Sequence, residues 1–157
     1  MLSLVFAAAV AGGWQFETQR DPLGQAVYVA EVVPDAGRPS VALRFLCGGM
    51  TGVVLQFNLG EVQYAGSQFS PREPDFEDVQ FDFEEGPYKT TAKRAPITDG
   101  IGTYEIKGSE AAFVADLLKT VGSVAIKREL VAYTFPLDGA AAAIEEVVSA
   151  CPFKYRQ

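Results

Sequence analysis

The sequence contains no histidine. This absence excludes the most common general base, the serine–histidine and cysteine–histidine nucleophile pairs, and most zinc and copper sites. An enzyme built from this chain would have to work with carboxylates, tyrosines or lysines alone. These residue types form no catalytic motif in the sequence. We therefore expect a protein that is not an enzyme and that has no catalytic residues, cofactor or firm metal site.

Positive charge is also scarce. The chain has 13 lysine and arginine residues against 20 aspartate and glutamate residues, and its formal net charge is −7 at pH 7. The one local group of basic residues, between Lys89 and Arg94, is too sparse to neutralise a row of phosphates. This balance argues against nucleic acid and against an anionic membrane as partners.

No apolar run approaches the ~20 residues that a transmembrane helix needs. The longest apolar segment, Leu2 to Val10, instead has the length of a short signal-peptide core, although no lysine or arginine precedes it. Ala9-Val10-Ala11 is a small-x-small cleavage pattern. We predict a truncated signal peptide over residues 1–11 that is cut after Ala11, which leaves no membrane anchor. The alternative is that these residues form a first strand or a helical stub.

The remaining chain, residues 12–157, is predicted to be a single globular domain. Of the 157 residues, 48% are hydrophobic and 21% are charged, which is ordinary for a folded protein and unlike a disordered one. A chain of this length can bury a substantial core.

Cys47 and Cys151 are the only two cysteines. If joined, they would close a loop of about 100 residues and add on the order of 4–5 kcal/mol of stability. Export to an oxidising compartment favours this disulfide. The alternative is two buried free thiols that behave as small apolar side chains. A cysteine nucleophile is not expected, because no imidazole is present to activate it.

Short segments with two-residue alternation or many β-branched residues, separated by glycine and proline turns, predict strands. These segments are 14–19, 25–33, 41–47, 52–57, 62–64, 79–83, 88–93, 103–107 and 123–131. The third and fourth are predicted to form a hairpin within 40–57, with Cys47 at the end of its first strand. Residues 66–78, which are rich in proline, serine and acidic residues, are predicted to form an exposed loop.

Two helices are predicted late in the chain. The first begins at an N-cap, Ser109, ends before Gly122, and has the apolar stripe Phe113, Val114, Leu117, Leu118 and Val121. The second follows the predicted N-cap Asp138 and has the stripe Ala140, Ala143, Ile144, Val147, Val148 and Cys151. Strands followed by helices predict an α+β fold, with an antiparallel sheet of about eight or nine strands. Whether the strands form a sandwich is left open.

Seven carboxylates lie between residues 73 and 85: Glu73, Asp75, Glu77, Asp78, Asp82, Glu84 and Glu85. We interpret them mainly as a solvated strand face and loop, with Glu73, Asp75, Asp82 and Glu84 as a candidate interaction surface. Paired carboxylates could also cleave a glycosidic bond, which makes a carboxylate-based hydrolase or glycan-active enzyme the alternative function. Asp75, Glu77 and Asp78 are weak calcium candidates, because the segment lacks the spacing of a calcium-binding loop.

Several short motifs follow one another in a particular order along residues 14–151. They are Trp14, Arg20-Asp21-Pro22-Leu23, Arg38-Pro39-x-Val41-x-Leu43-Arg44-x-x-Cys47, Val79-x-Phe81-Asp82-x-x-x-Gly86-Pro87, Phe135-x-Leu137-x-Gly139-Ala140 and Ala143-Ile144-x-x-Val147-x-x-x-Cys151. This order resembles small secreted bacterial proteins of the type VI secretion-associated VasI/TagO kind and, more loosely, invasion-associated locus B proteins.

The resemblance implies a periplasmic, non-enzymatic domain with a disulfide between Cys47 and Cys151, and it implies no substrate. Together with the residue patterns, it leads us to expect a periplasmic or secreted accessory domain. Its partner would be a protein or a component of the cell envelope.

Overall fold

The fold comes from a computed structural model, in which residues 13–38, 40–60, 76–94 and 103–151 are described. The strands are β1 (Gln15–Arg20), β2 (Ala26–Val32), β3 (Ala42–Gly48), β4 (Gly52–Asn58), β5 (Phe76–Phe83), β6 (Gly86–Arg94), β7 (Tyr104–Lys107), β8 (Ser123–Arg128) and β9 (Val131–Pro136). The helices are α1 (Ser109–Leu117) and α2 (Ala140–Ala150).

All nine described strands form one antiparallel sheet in the order β1-β2-β3-β4-β7-β6-β5-β8-β9. The α+β prediction is therefore confirmed, and the strands form a single sheet, not a sandwich. The predicted hairpin is also confirmed, since β3 pairs with β4 and Cys47 lies opposite Val53.

The sheet is strongly curved. The rings of Phe57 in β4 and Phe81 in β5 are only 5.8 Å apart, although β7 and β6 lie between these strands. In a flat sheet, three strand spacings would separate them by about 14 Å. The indole nitrogen of Trp14, just before β1, donates to the carbonyl oxygen of Pro136 in β9 at 2.7 Å. This bond connects the two edge strands of the sheet, β1 and β9, and holds the first strand in place.

Both helices contribute to the core on the concave side of the sheet. Helix α2 packs against β1, β2 and β3, and α1 packs against β4 and β7. The largest side chains that are fully buried there include Phe45, Phe57, Phe81, Tyr104, Leu118, Phe135 and Ile144. On the opposite, convex face, the described residues form only a small apolar cluster, which consists of Val27, Val29, Leu46 and Val54.

A disulfide joins Cys47 to Cys151, as predicted, with 5.7 Å between their Cα atoms. It connects the end of β3 to the residue that follows α2. The predicted apolar stripe of α2 is confirmed as well, because Ala140, Ala143, Ile144 and Val147 are all buried. The covalent bond and the apolar face therefore hold this helix on the same three strands.

The predicted N-caps are wrong by one residue. Gly108 and Gly139 precede the two helices, with φ values of 71° and 82°, and neither helix start has a side-chain cap. Ser109 is already helical, and Asp138 instead accepts a hydrogen bond from the backbone N–H of Trp14 through its carbonyl oxygen. Glycine fits both positions because the chain enters each helix with a positive φ, which side chains disfavour.

The prediction for the first helix is partly wrong. Helix α1 ends at Leu117, and its buried residues are Ala111, Val114 and Ala115. Two alanines therefore take core positions in place of larger side chains. Phe113 and Val121, which we expected in the core, are 51% and 82% exposed.

Two strand boundaries also differ from the predictions. The single strand expected over 123–131 is a hairpin, because the chain turns at Glu129 (φ 51°) and Leu130 to form β8 and β9. Strand β5 begins at Phe76, so the last three residues of the predicted loop 66–78 belong to the sheet. The rest of that loop and the strand predicted at 62–64 lie outside the described residues.

Asp21 connects two turns at one end of the sheet. One of its carboxylate oxygens accepts the backbone N–H groups of Leu23 and Gln25, at 2.9 and 2.8 Å. The other oxygen accepts the N–H of Met50, at 2.9 Å, from the β3–β4 turn. The hydrogen bond from Met50 makes the largest contribution to lowering the pKa of Asp21, and the bonds from Gln25 and Leu23 lower it further.

We expect Asp21→Asn to lower the thermal midpoint at neutral pH, because an amide has one acceptor oxygen where the carboxylate has two. The pKa is lower in the folded than in the unfolded state, so the carboxylate stabilises the fold above its unfolded pKa. That contribution is lost as the pH falls through the folded pKa. Melting curves between about pH 7 and pH 2 should therefore converge for the two proteins at the acid end.

The control for this experiment is Asp35→Asn, since among the described residues the carboxylate of Asp35 accepts only the local N–H of Gly37. This change should have a smaller effect. A constant difference between Asp21→Asn and the unmodified protein at every pH would contradict the proposed role of the carboxylate.

Candidate functional site

Two of the four acidic residues predicted as an interaction surface, Asp82 and Glu84, are among the described residues. Glu73 and Asp75 lie outside the described residues, as does the predicted cleavage site at Ala11. Asp82 is on the convex face, where Lys127 and Gln80 both approach its carboxylate to 2.5 Å. These two partners, Lys127 first, lower the pKa of Asp82. Glu84 lies in the β5–β6 turn and lines a groove described below.

Of the three weak calcium candidates, Glu77 and Asp78 are among the described residues. Asp75 lies outside the described residues, and Glu77 and Asp78 are neighbours in β5, so their side chains project from opposite faces of the sheet. Within the described ranges, no group of three or more acidic or cysteine side chains could hold a metal ion. The calcium site stays a prediction.

Glu77 lies between two arginines on the concave face. One carboxylate oxygen contacts Arg94, and the other is 2.6 Å from Arg128. The three side chains are 11%, 17% and 9% exposed, in that order. The guanidinium of Arg128 also lies 4.9 Å from the ring centre of Tyr104. We call Glu77, Arg94 and Arg128 the ion cluster, and its burial and pairing fit a structural role.

An apolar groove lies between α1, the segment after it and the β5–β6 turn. We call it the α1 groove, and its volume is about 310 Å³. It is lined by Phe83, Glu84, Glu85, Gly86, Pro87, Tyr88, Phe113, Leu117, Thr120 and Val121. The two residues that sequence analysis placed in the core, Phe113 and Val121, thus form part of its wall.

The walls of the groove are fixed by contacts with the body of the protein. Leu118, at the end of α1, is fully buried. The next residue, Lys119, reaches Asp116 at 3.0 Å and Glu145 of α2 at 2.6 Å. Burial by itself lowers the pKa of Lys119. The two carboxylates have a larger effect in the opposite direction, so the pKa of the ammonium group is raised. The rings of Tyr88 in β6 and Phe113 in α1, which both line the groove, are 5.4 Å apart.

Acidic groups surround the apolar surface of the groove. Glu84 and Glu85 are exposed lining residues, and no lysine or arginine lines the groove within the part of the chain that is described. The carboxylate of Glu84 lies against the α-carbon of Gly122, where an added Cβ would come within 2.4 Å of it.

A third carboxylate, that of Glu110, accepts hydrogen bonds from the hydroxyls of Thr90 and Tyr88 next to the groove. Burial, and then the charge of Glu110, raises the pKa of Tyr88. The tyrosine therefore remains a neutral hydrogen-bond donor at physiological pH. Such an arrangement can bury an apolar side chain and attract a cation, and the described lining residues contain no nucleophile–base pair.

No protein-family model, curated protein or solved structure matches the chain. The resemblance to VasI/TagO and invasion-associated locus B proteins therefore stays a prediction. Among the described residues, neither helix has the length and apolar character required to cross a bilayer.

Proposed function

We propose that this protein is an exported, non-catalytic binding domain whose partner is a protein or a component of the cell envelope. The observation that carries the proposal is the disulfide between Cys47 and Cys151. Disulfides form and persist in the periplasm and outside the cell, whereas the cytosol keeps most thiols reduced. This supports a periplasmic or secreted location and agrees with the predicted cut after Ala11.

The α1 groove supports the binding role. Phe113 and Val121 are 51% and 82% exposed, and both line this groove. An apolar surface with a polar rim is typical of an interaction site. The secretion role that the resemblance implies stays a prediction.

The export proposal is tested by expressing the chain in a bacterial host and recovering it from the periplasm. We expect an intact mass that lacks residues 1–11 and a denatured protein with no thiol that iodoacetamide can alkylate. A control chain that starts at Gly12 should stay in the cytoplasm. A cytoplasmic product that keeps residues 1–11 and has two reactive thiols would contradict the proposal.

A further inference from the structure

We propose that the α1 groove binds a segment of a partner protein in which an apolar side chain is flanked by lysine or arginine. This inference rests on the proposed binding function and names the chemistry of the occupant. Two observations carry it, namely the exposed apolar wall of the groove and the acidic groups at its rim.

The apolar wall and the volume of the groove determine the size and the polarity of the side chains that can enter it. Phe113 and Val121 are largely exposed, and both line the groove together with Phe83 and Leu117. Covering them removes apolar surface from water, which is favourable in proportion to the area covered. At about 310 Å³ the groove is at the small end of the range for ligand sites. It therefore suits one or two side chains of a peptide.

The acidic rim determines which charge the occupant should carry next to the side chain that enters the groove. Glu84 and Glu85 form no ion pair with another described residue, unlike Asp82 and Glu145, which are paired with lysines. Their charges are therefore available to a cation from outside. Complementary charge also speeds encounter and disfavours partners of the wrong sign.

A protein segment fits these observations better than a membrane or a nucleic acid. Phosphates would meet the uncompensated carboxylates of Glu84 and Glu85, and the net charge of −7 would repel a polyanion as a whole. A peptide, by contrast, can offer an apolar side chain and an adjacent cation only a few ångströms apart.

The test uses the full chain and a short fluorescein-labelled peptide in which phenylalanine alternates with lysine. Fluorescence anisotropy measures its affinity, and two matched peptides replace lysine with glutamine or with glutamate. We expect the lysine peptide to bind tightest and the glutamate peptide weakest. Raising the salt concentration should reduce the difference, because the carboxylates are exposed.

Two variants locate the binding surface. Val121→Ser should weaken binding of the lysine peptide by about tenfold, because it removes exposed apolar surface from the groove wall. Leu130→Ser is the matched control, since Leu130 is fully exposed in the β8–β9 turn, away from the groove residues, and should change nothing. Both positions are on the surface, and a melting curve confirms that each variant folds.

Two further variants test the rim. Glu85→Gln should weaken binding by about threefold at low salt and by less at high salt. The control is Glu146→Gln, a similar exposed change on α2. Equal affinity for the lysine and glutamate peptides, or equal losses in Val121→Ser and Leu130→Ser, would overturn the proposed occupant.

The outcomes also separate this inference from the proposed function. If no peptide binds but the chain is exported and oxidised, the occupant is wrong and the export proposal stands. If the peptide binds as expected but the chain stays in the cytoplasm with free thiols, the export proposal is wrong and the groove assignment stands.

Discussion

Reduction of the Cys47–Cys151 disulfide is expected to lower the free energy of unfolding by about 4 kcal/mol. The two cysteines are 104 residues apart, so the bond closes most of the chain into one loop and restricts the unfolded state. The corresponding fall in the thermal midpoint is about 10 °C for a chain of this size. Melting curves with and without a reductant measure the effect directly.

The control is the double variant Cys47→Ala and Cys151→Ala. Alanine is chosen because Cys47 is fully buried, where a serine hydroxyl would need a hydrogen-bond partner. This variant should melt close to the reduced protein and should not respond to the reductant. An unchanged melting temperature on reduction would show that the bond does not stabilise the fold as described here.

The second large effect is expected for Glu77→Gln, which should destabilise the protein by about 3 kcal/mol. The substitution keeps the shape of the side chain but leaves Arg94 and Arg128 close together and mostly buried without the carboxylate between them. Chemical denaturation at neutral pH measures the loss.

Asp82→Asn serves as the comparison, because it breaks an ion pair with Lys127 on the exposed convex face of the same strand. Its effect should be much smaller than that of Glu77→Gln. A double-mutant cycle between Glu77→Gln and Arg128→Met should show a coupling of about 1–3 kcal/mol. Additive losses would show that Glu77 and Arg128 do not act as a pair.

The disulfide and the ion cluster lie near opposite ends of the strands in the middle of the sheet. Cys47 is opposite Val53 at the start of β4, whereas Arg94 is opposite Tyr104, which in turn is opposite Phe57 near the end of β4. The disulfide therefore stabilises one end of these strands, and the buried ion cluster stabilises the other end. Both ties should be needed for full stability, and they should act independently because they share no residue.

Much of the fold could be predicted from local patterns. The alternation in 41–47 and 52–57, with two glycines between them, led correctly to the β3–β4 hairpin. One error occurs where a tertiary contact replaces a local rule. Asp138 has the side chain of an N-cap, but Trp14 uses its carbonyl group and Gly139 takes the position before the helix.

The candidate site was much less predictable. Phe113 and Val121 have the spacing of core residues, and a periodic pattern does not show that α1 buries its alanines instead. Glu77 was interpreted as part of an exposed loop from the composition of residues 66–78, and its arginine partners are 17 and 51 residues away in the sequence. Neither distance gives a local signal.

The sequence by itself determined most of the described strands, the position of both helices late in the chain, and which two cysteines can pair. These properties depend on neighbouring residues or on there being only one possible partner. The tertiary structure alone decided that the sheet curls, that Glu77 meets two arginines, and that Phe113 and Val121 remain outside the core. These outcomes depend on how strands distant in sequence meet in space, because strand order and curvature determine which side chains become neighbours.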